Sequence, residues 1–174
     1  YLHAMIRDKY GRKMSKSLGN VIDPLEVING CTLEAMLEKI RHGNLDPSEV
    51  EKASQGKRQD FPDGIPMCGT DALRFGLLAY TIQGININLD IQRVIGYRNF
   101  CNKLWNAVKF GLMNLEGFSA TQEEIEHIDV KSLAPRDQWI LSRLSQTAAA
   151  CNKNFADYEF ANVTTQTYNF WLYT

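Results

Sequence analysis

Several features that would point directly to a function are missing from this sequence. Its 19 basic and 20 acidic residues nearly cancel, so the whole-chain charge gives no indication of a nucleic-acid partner. No apolar run approaches the roughly 18 residues that a membrane-spanning helix needs, which excludes a membrane protein. The four cysteines form no CxxC pair, so neither a zinc site nor a dense disulfide scaffold is predicted.

Both ends of the chain lack the polar, frayed character of most protein termini. The sequence opens with Tyr1 in a strand-like run and stops at Thr174 within an apolar pattern. We therefore expect a piece of a longer polypeptide. Reduced thiols and a cytoplasmic location are the default expectation, with the mitochondrion as the alternative, because a targeting segment would lie upstream of Tyr1.

Helix start signals dominate the first part of the chain after an initial strand. Asp23-Pro24, Thr32 and Asp46-Pro47 each combine a capping side chain with a good first helical residue or an acidic first turn. Gly56 predicts the end of the third of these helices. Residues 56–69 contain Pro and Gly repeatedly and predict an exposed connection.

Longer amphipathic helices occupy the second part. A helix is predicted from residue 70, another over residues 91–115, one from Pro135 and one from about Asp157. The acidic stretch 116–137 predicts a solvated loop. Trp105 and Trp171 lie on apolar helix faces and are expected to pack in a core.

These patterns predict a mainly α chain in two parts. Residues 1–69 are interpreted as the end of an α/β unit, and residues 70–174 as an all-α helix bundle. We expect residues 70–174 to be the more stable part and residues 1–30 the less stable, because a strand without its sheet neighbours leaves backbone groups exposed.

One loop carries a specific motif, Lys13-Met14-Ser15-Lys16-Ser17. Two lysines flank small hydroxyl residues, so two ammonium groups could converge on one anion while hydroxyl and backbone N–H groups add neutral donors. Lysine is a point charge on a flexible stem, which suits a phosphate group that moves during a reaction. The alternative is a solvated basic loop without a ligand.

The helix over residues 91–115 has a basic, amide-rich face that no acidic residue interrupts between Gln92 and Phe110. Phosphate contacts commonly come from Arg, Lys and Asn side chains, so this face could follow an RNA backbone. The alternative is an ordinary solvated helix face. The candidate RNA-binding residues are Arg98, Asn102, Lys103, Asn106 and Lys109.

The loop motif matches the second signature, KMSKS, of the class I aminoacyl-tRNA synthetases, which this chain resembles. Asp71-Ala72-Leu73-Arg74 and the segment 102–106 match further segments of the branched-chain subgroup. The longer phrases at residues 11–25, 69–80, 96–107 and 160–173 look most like the valine-specific enzymes of eukaryotic type. The resemblance covers nearly the whole chain. It implies the end of an α/β, Rossmann-like catalytic domain in residues 1–69 and a truncated, all-α anticodon-binding bundle in residues 70–174.

The resemblance implies ATP-dependent activation of valine and its transfer to tRNA(Val). By family analogy Lys16 contacts the β- and γ-phosphates of ATP with Lys13 assisting, and these two lysines are the catalytic candidates. The ATP-binding candidates are Lys13, Met14, Ser15, Lys16 and Ser17. The implied partners are valine, tRNA(Val), ATP with Mg²⁺ and the remainder of the parent chain, and no protein-bound metal is expected.

The sequence departs from the family in two respects. The other class signature, His-Ile-Gly-His, is absent, and with it most of the nucleotide-binding sheet, the amino-acid pocket and the editing domain. Residues 84–88 read Gly-Ile-Asn-Ile-Asn where relatives usually have Gly-Arg-Asp-Ile-Asn. The alternative functions are a non-catalytic RNA-binding or interaction module derived from a synthetase, and an isoleucine or leucine enzyme.

Overall fold

The computed structural model describes residues 2–83 and 86–174, without the side chains of residues 82 and 83. The described chain is mainly helical, as expected. Three-residue or four-residue 3-10 turns lie at Lys16–Leu18, Tyr80–Gln83 and Val130–Ser132. The helices are α1 (Pro24–Asn29), α2 (Leu33–Arg41), α3 (Pro47–Asp60), α4 (Thr70–Ala79), α5 (Ile91–Asn114), α6 (Gln122–Glu126), α7 (Pro135–Ala156) and α8 (Phe160–Tyr173).

Two short parallel strands join the beginning of the chain to its middle. Strand β1 (Met5–Arg7) pairs with β2 (Asn86–Asn88), with Ile6 opposite Ile87. The connection between them contains α1 to α4, which is the order expected of an α/β unit because parallel strands need a long crossover. Tyr1, at the start of the predicted strand, and residues 84 and 85 of the unusual segment lie outside the described residues.

The predicted helix starts are confirmed for α1 and α2. The Asp23 side chain accepts a hydrogen bond from the Leu25 N–H, and Thr32 accepts one from Ala35. The predicted end of α3 at Gly56 is wrong, since the helix continues to Asp60. Gly56 lies at a close crossing, where a Cβ atom would come within 2.5 Å of the Leu18 carbonyl oxygen.

The prediction that residues 56–69 form an exposed connection is also wrong. Ile65 and Cys68 are buried, and the backbone of Ile65 exchanges two hydrogen bonds of 2.8 Å with Cys31. Proline and glycine signalled an irregular backbone correctly but carried no information on burial. The core around these residues contains Val27, Met36, Ile65, Cys68, Ala72, Leu73, Tyr80, Ile87, Leu89, Ile91 and Val94.

The described chain forms two compact units, Tyr1–Cys101 and Asn102–Thr174. The first unit holds the core just described, to which α4 and the beginning of α5 contribute. The expected boundary after residue 69 concerns a catalytic and an anticodon-binding domain, and it stays a prediction.

The second unit buries little apolar surface. Helices α7 and α8 pack on each other, and the rings of Phe155 and Phe160 lie 6.2 Å apart. Trp105 was expected in the core but is 72% exposed, and Trp171 is 44% exposed. The stretch 116–137 is not a plain loop, since it contains α6, which begins with a capping box formed by Thr121 and Glu124. None of the described helices has the length and apolar character needed to cross a membrane.

Candidate phosphate-binding loop

The Lys13–Ser17 motif follows β1 after the turn at residues 8–12, and the loop that carries the motif ends at Gly19. Arg7 and Lys13 form an antiparallel backbone bridge across the turn that separates them. Ser15 caps the 3-10 turn Lys16–Leu18, its hydroxyl accepting a hydrogen bond of 3.3 Å from the Leu18 N–H. Gly19 then ends the turn in the left-handed region, at a φ of 65°, which favours glycine.

A buried asparagine holds the two sides of this loop together. Asn20 is 2% exposed, and its Nδ2 donates to the Lys13 carbonyl at 3.2 Å and to Asp8 Oδ2 at 2.9 Å. Its Oδ1 accepts a hydrogen bond of 2.9 Å from the Ser15 N–H. We call these three hydrogen bonds the Asn20 clasp. They define the backbone positions immediately before and after Met14.

Asp8 supports the clasp from the turn below the loop. This 4% exposed carboxylate also accepts hydrogen bonds from the Arg12 N–H at 2.8 Å and from Arg12 Nε at 2.6 Å. Burial alone would raise the pKa of Asp8, but the hydrogen bonds from Asn20 and Arg12 outweigh it and hold that pKa below its ordinary value. Arg12 also lies 3.4 Å from Asp60, at the end of α3.

Helix α3 packs against one side of the loop. A Cβ atom on Gly19 would collide with the Ala53 carbonyl, so the loop and the helix pass in direct backbone contact. Lys57 is 6% exposed, and its Nζ donates a hydrogen bond of 2.6 Å to the Val21 carbonyl. Burial lowers the pKa of Lys57. The backbone that carries the motif is therefore held by the Asn20 clasp on one side and by α3 on the other.

The motif lysines themselves are exposed. Lys13 and Lys16 have solvent-accessible side chains, while Met14 packs against the core and Ser15 and Ser17 are half-buried. Among residues 2–83 and 86–174, neither lysine is within ion-pair distance of a carboxylate. Two ammonium groups without a carboxylate partner, carried by a fixed backbone, can neutralise part of the charge of a polyphosphate.

The larger cavity in the first unit does not include residues 13–17, but Asp8 and Asn20 are among the residues that line it. It has a volume of about 660 Å³, and Asp60, Gly64, Asp90 and Ile95 are among its lining residues. A smaller cavity of about 260 Å³ borders Lys16 and has the Lys39–Glu26 ion pair, 2.8 Å long, in its wall. In the described part of the chain, no group of three His, Cys, Asp or Glu side chains could hold a metal ion.

The candidate tRNA-binding residues all lie on α5 but differ in their environment. Arg98 is half-buried and its Nη1 donates a hydrogen bond of 3.1 Å to the Met67 carbonyl, so it already supports the segment 61–69. Asn102, Lys103, Asn106 and Lys109 are exposed. Contact of any of these residues with tRNA stays a prediction.

Asp8, Asn20 and Lys57 are the site residues that sequence reasoning missed. Asn20 directly follows Leu18-Gly19 within the phrase 11–25, so its position was visible, but its three hydrogen bonds depend on the folded loop. Lys57 is 36 residues from Val21, and no local pattern indicates that pairing.

Two family models match the chain. Residues 1–90 match the model described as tRNA synthetases class I (I, L, M and V). Residues 137–174 match the model described as the anticodon-binding domain of tRNA ligase.

Full-length relatives agree with both matches. The chain is 58% identical to the valine–tRNA ligase of Mus musculus, 57% identical to that of Homo sapiens and 55% identical to that of Caenorhabditis elegans. Each alignment covers 99% of this chain. The chain spans only 14% of the mouse and human proteins and 16% of the nematode protein.

Proposed function

Because the chain belongs to the class I tRNA synthetases of the I, L, M and V group, we propose that it is a segment of a valine–tRNA ligase. The complete enzyme would activate valine with ATP, release pyrophosphate and transfer the valine to tRNA(Val). The observation that carries the choice of valine is the identity to valine–tRNA ligases across nearly the whole chain. A non-catalytic module and an isoleucine or leucine enzyme are not favoured by these relatives.

The segment would supply the positive charge that the leaving pyrophosphate requires. When the valine carboxylate attacks the α-phosphate of ATP, negative charge increases on the pyrophosphate. Lys16, assisted by Lys13, would stabilise this charge, while Met14, Ser15 and Ser17 shape the loop around the phosphates. ATP would enter with Mg²⁺ as part of the substrate. No covalent bond to the enzyme is needed, so the contribution of these residues is electrostatic.

The exposed residues of α5 would contribute to tRNA binding. Lys103 and Lys109 offer charge to the phosphate backbone, Asn102 and Asn106 offer hydrogen bonds, and Arg98 orders the segment before α4. The cytoplasm is the proposed location of the enzyme, with the mitochondrion as the alternative. The four cysteines, all in the described part of the chain, carry free thiols, which fits a reducing compartment.

Valine-dependent ATP–pyrophosphate exchange tests this function. The full-length polypeptide that contains residues 1–174 should exchange pyrophosphate with valine and much less with isoleucine or leucine, and should charge tRNA(Val). The isolated 174-residue chain is the negative control, because its sequence has no His-Ile-Gly-His signature. Exchange that depends on isoleucine or leucine in preference to valine would disprove the proposed specificity, and no exchange with any of the three would disprove the catalytic role.

A further inference from the structure

We infer that Asn20 is a positioning residue for the two motif lysines. The inference rests on the proposed function and adds a residue that acts through the backbone. The Asn20 clasp holds the carbonyl of Lys13 and the N–H of Ser15, and Ser15 in turn caps the turn that begins with Lys16. A single buried side chain thus determines where the backbone of both lysines lies.

The chemistry of the clasp requires an amide. One Nδ2 hydrogen goes to Asp8 and the other to the Lys13 carbonyl, while Oδ1 accepts from Ser15. A carboxylate could accept from Ser15 but could donate to neither oxygen. It would also lie about 2.9 Å from the carboxylate of Asp8, in a place where both groups are buried. The environment therefore selects asparagine over aspartate at this position.

The consequence for catalysis follows from the exposure of the lysines. Their ammonium groups have no carboxylate partner within the described residues, so the region they can reach is set by the loop backbone and the length of the flexible side chain. Without the clasp, the Lys13 carbonyl and the Ser15 N–H turn to water and the loop samples other conformations. A displacement of about 1 Å in a positioned catalytic group can reduce a rate by about 100-fold.

The experiment compares two identical chemical changes in the full-length enzyme. Asn20→Asp breaks the clasp, whereas Asn152→Asp makes the same change at an exposed position on α7. We expect Asn20→Asp to lower the rate constant for aminoacyl-adenylate formation by about 10- to 100-fold. The KM for the amino acid should change less than about twofold, since the loop would not contact it. Asn152→Asp should match the unmodified enzyme.

Transfer of the amino acid from preformed adenylate to tRNA separates positioning from loss of folding. Pyrophosphate has left before that step, so Asn20→Asp should reduce transfer by less than about threefold. An equal fall in adenylate formation and transfer would show that Asn20 only stabilises the fold and would overturn the inference. Unchanged adenylate formation in a folded Asn20→Asp enzyme would overturn it as well.

The double variant Asp8→Asn/Asn20→Asp provides a second test. It has one buried carboxylate at this place instead of two, so the result does not depend on whether the fold tolerates two adjacent carboxylates. It can rebuild a hydrogen bond between positions 8 and 20 but leaves the Lys13 carbonyl without its donor. We expect it to recover part of the melting temperature lost in Asn20→Asp while adenylate formation stays at least about tenfold slower. Full recovery of the rate would disprove the role assigned to the Lys13 hydrogen bond.

The same measurements distinguish the inference from the proposed function. They can be made with whichever of valine, isoleucine or leucine supports pyrophosphate exchange in the unmodified enzyme. Preference for another amino acid would disprove the valine assignment and leave the test of Asn20 intact. Exchange by the unmodified enzyme together with equal rates in Asn20→Asp would disprove the inference alone.

Discussion

At the scale of single residues, Lys16 and Lys13 are distinguished by the backbone that carries them. Lys13 is bridged to Arg7, whereas Lys16 opens the 3-10 turn and borders a small cavity. We predict that Lys16→Ala in the full-length enzyme lowers the rate constant of valyl-adenylate formation by roughly 10²–10³, or about 3–4 kcal/mol, by analogy with the loss of one oxyanion donor. Lys16→Arg should recover only part of the loss, because the planar guanidinium is larger.

Pre-steady-state kinetics measure this effect, and Lys52→Ala is the matched control. Lys52 is an exposed lysine on α3 outside the motif, and its removal changes the net charge equally. Valine binding should hardly change in either variant. A Lys16→Ala enzyme that forms adenylate within about threefold of the normal rate but fails to transfer valine to tRNA would contradict the role assigned to Lys16.

The lowered pKa of Asp8 predicts that the free energy of unfolding depends on pH. Its folded-state pKa lies below the ordinary value of 3.8, so the unfolded chain binds a proton more readily than the folded one. The stabilisation is complete above the ordinary value and is lost as the pH falls through the lowered folded value. In urea unfolding of the 174-residue chain, the free energy of unfolding should fall more steeply below about pH 4 than it does in Asp8→Asn. Parallel profiles for the two chains would show that Asp8 does not contribute this term.

Some residues of the candidate site could be predicted from the sequence, and others could not. Lys13 to Ser17 form an exact motif, which can be recognised without a fold. Asn20 and Asp8 lie 12 positions apart, and their hydrogen bond exists only after the turn brings them together. Trp105 was wrongly predicted to be buried. An apolar helix face shows that the helix can pack against another surface, but it does not show that such a surface is present.

At the scale of elements, two glycines in helices have opposite roles. Gly56 in α3 has no room for a Cβ beside the Leu18 carbonyl, whereas a Cβ on Gly96 in α5 would meet no atom within 4 Å. Gly56→Ala should therefore destabilise the chain by about 1–3 kcal/mol through overpacking. Gly96→Ala should stabilise it by about 0.5–1 kcal/mol, because alanine favours the helix.

Urea unfolding of the two alanine variants measures both effects against the unmodified chain. Since Gly56 touches the backbone of the motif turn, Gly56→Ala in the full-length enzyme should also slow adenylate formation, while Gly96→Ala should leave it unchanged. Equal stabilisation by both substitutions would mean that α3 and the loop do not pass as closely as the structure shows.

Some secondary-structure elements could be predicted from local sequence patterns alone, and others could not. Capping side chains at Asp23 and Thr32 act within a few residues, and the corresponding helix starts were predicted correctly. Strand β2 has only three residues and pairs with β1 some 80 positions away, so no local signal marks it. Gly56 was interpreted as a helix end because the same residue type serves both as a stop and as a point of close packing.

At the scale of the whole molecule, apolar burial is distributed unevenly. The large cluster that includes Val27, Met36, Tyr80 and Val94 lies within the first unit. In the second unit, the buried residues among those that the structure describes are Ala161, Val163 and Thr164. Several large apolar side chains of that unit are more than half exposed, namely Trp105, Phe110, Leu112, Met113 and Phe118.

This distribution argues against the expectation that residues 70–174 are the more stable part, because most of the buried apolar residues lie in the first unit. Apolar burial is the main favourable term in folding, and helices as short as 14 residues, the length of α8, are marginal without it. We predict that in the 174-residue chain the amides of residues 163–168 exchange with solvent faster than those of residues 72–77 and 94–100. Hydrogen-exchange mass spectrometry with peptides from α4, the start of α5, and α8 would measure the difference. Because α4 and α8 are both helices of 10 to 14 residues, they form a matched pair in which packing is the main variable. Slower exchange in α8 than in α4 would show that the pairing of α7 with α8 provides more stability than its small buried area indicates.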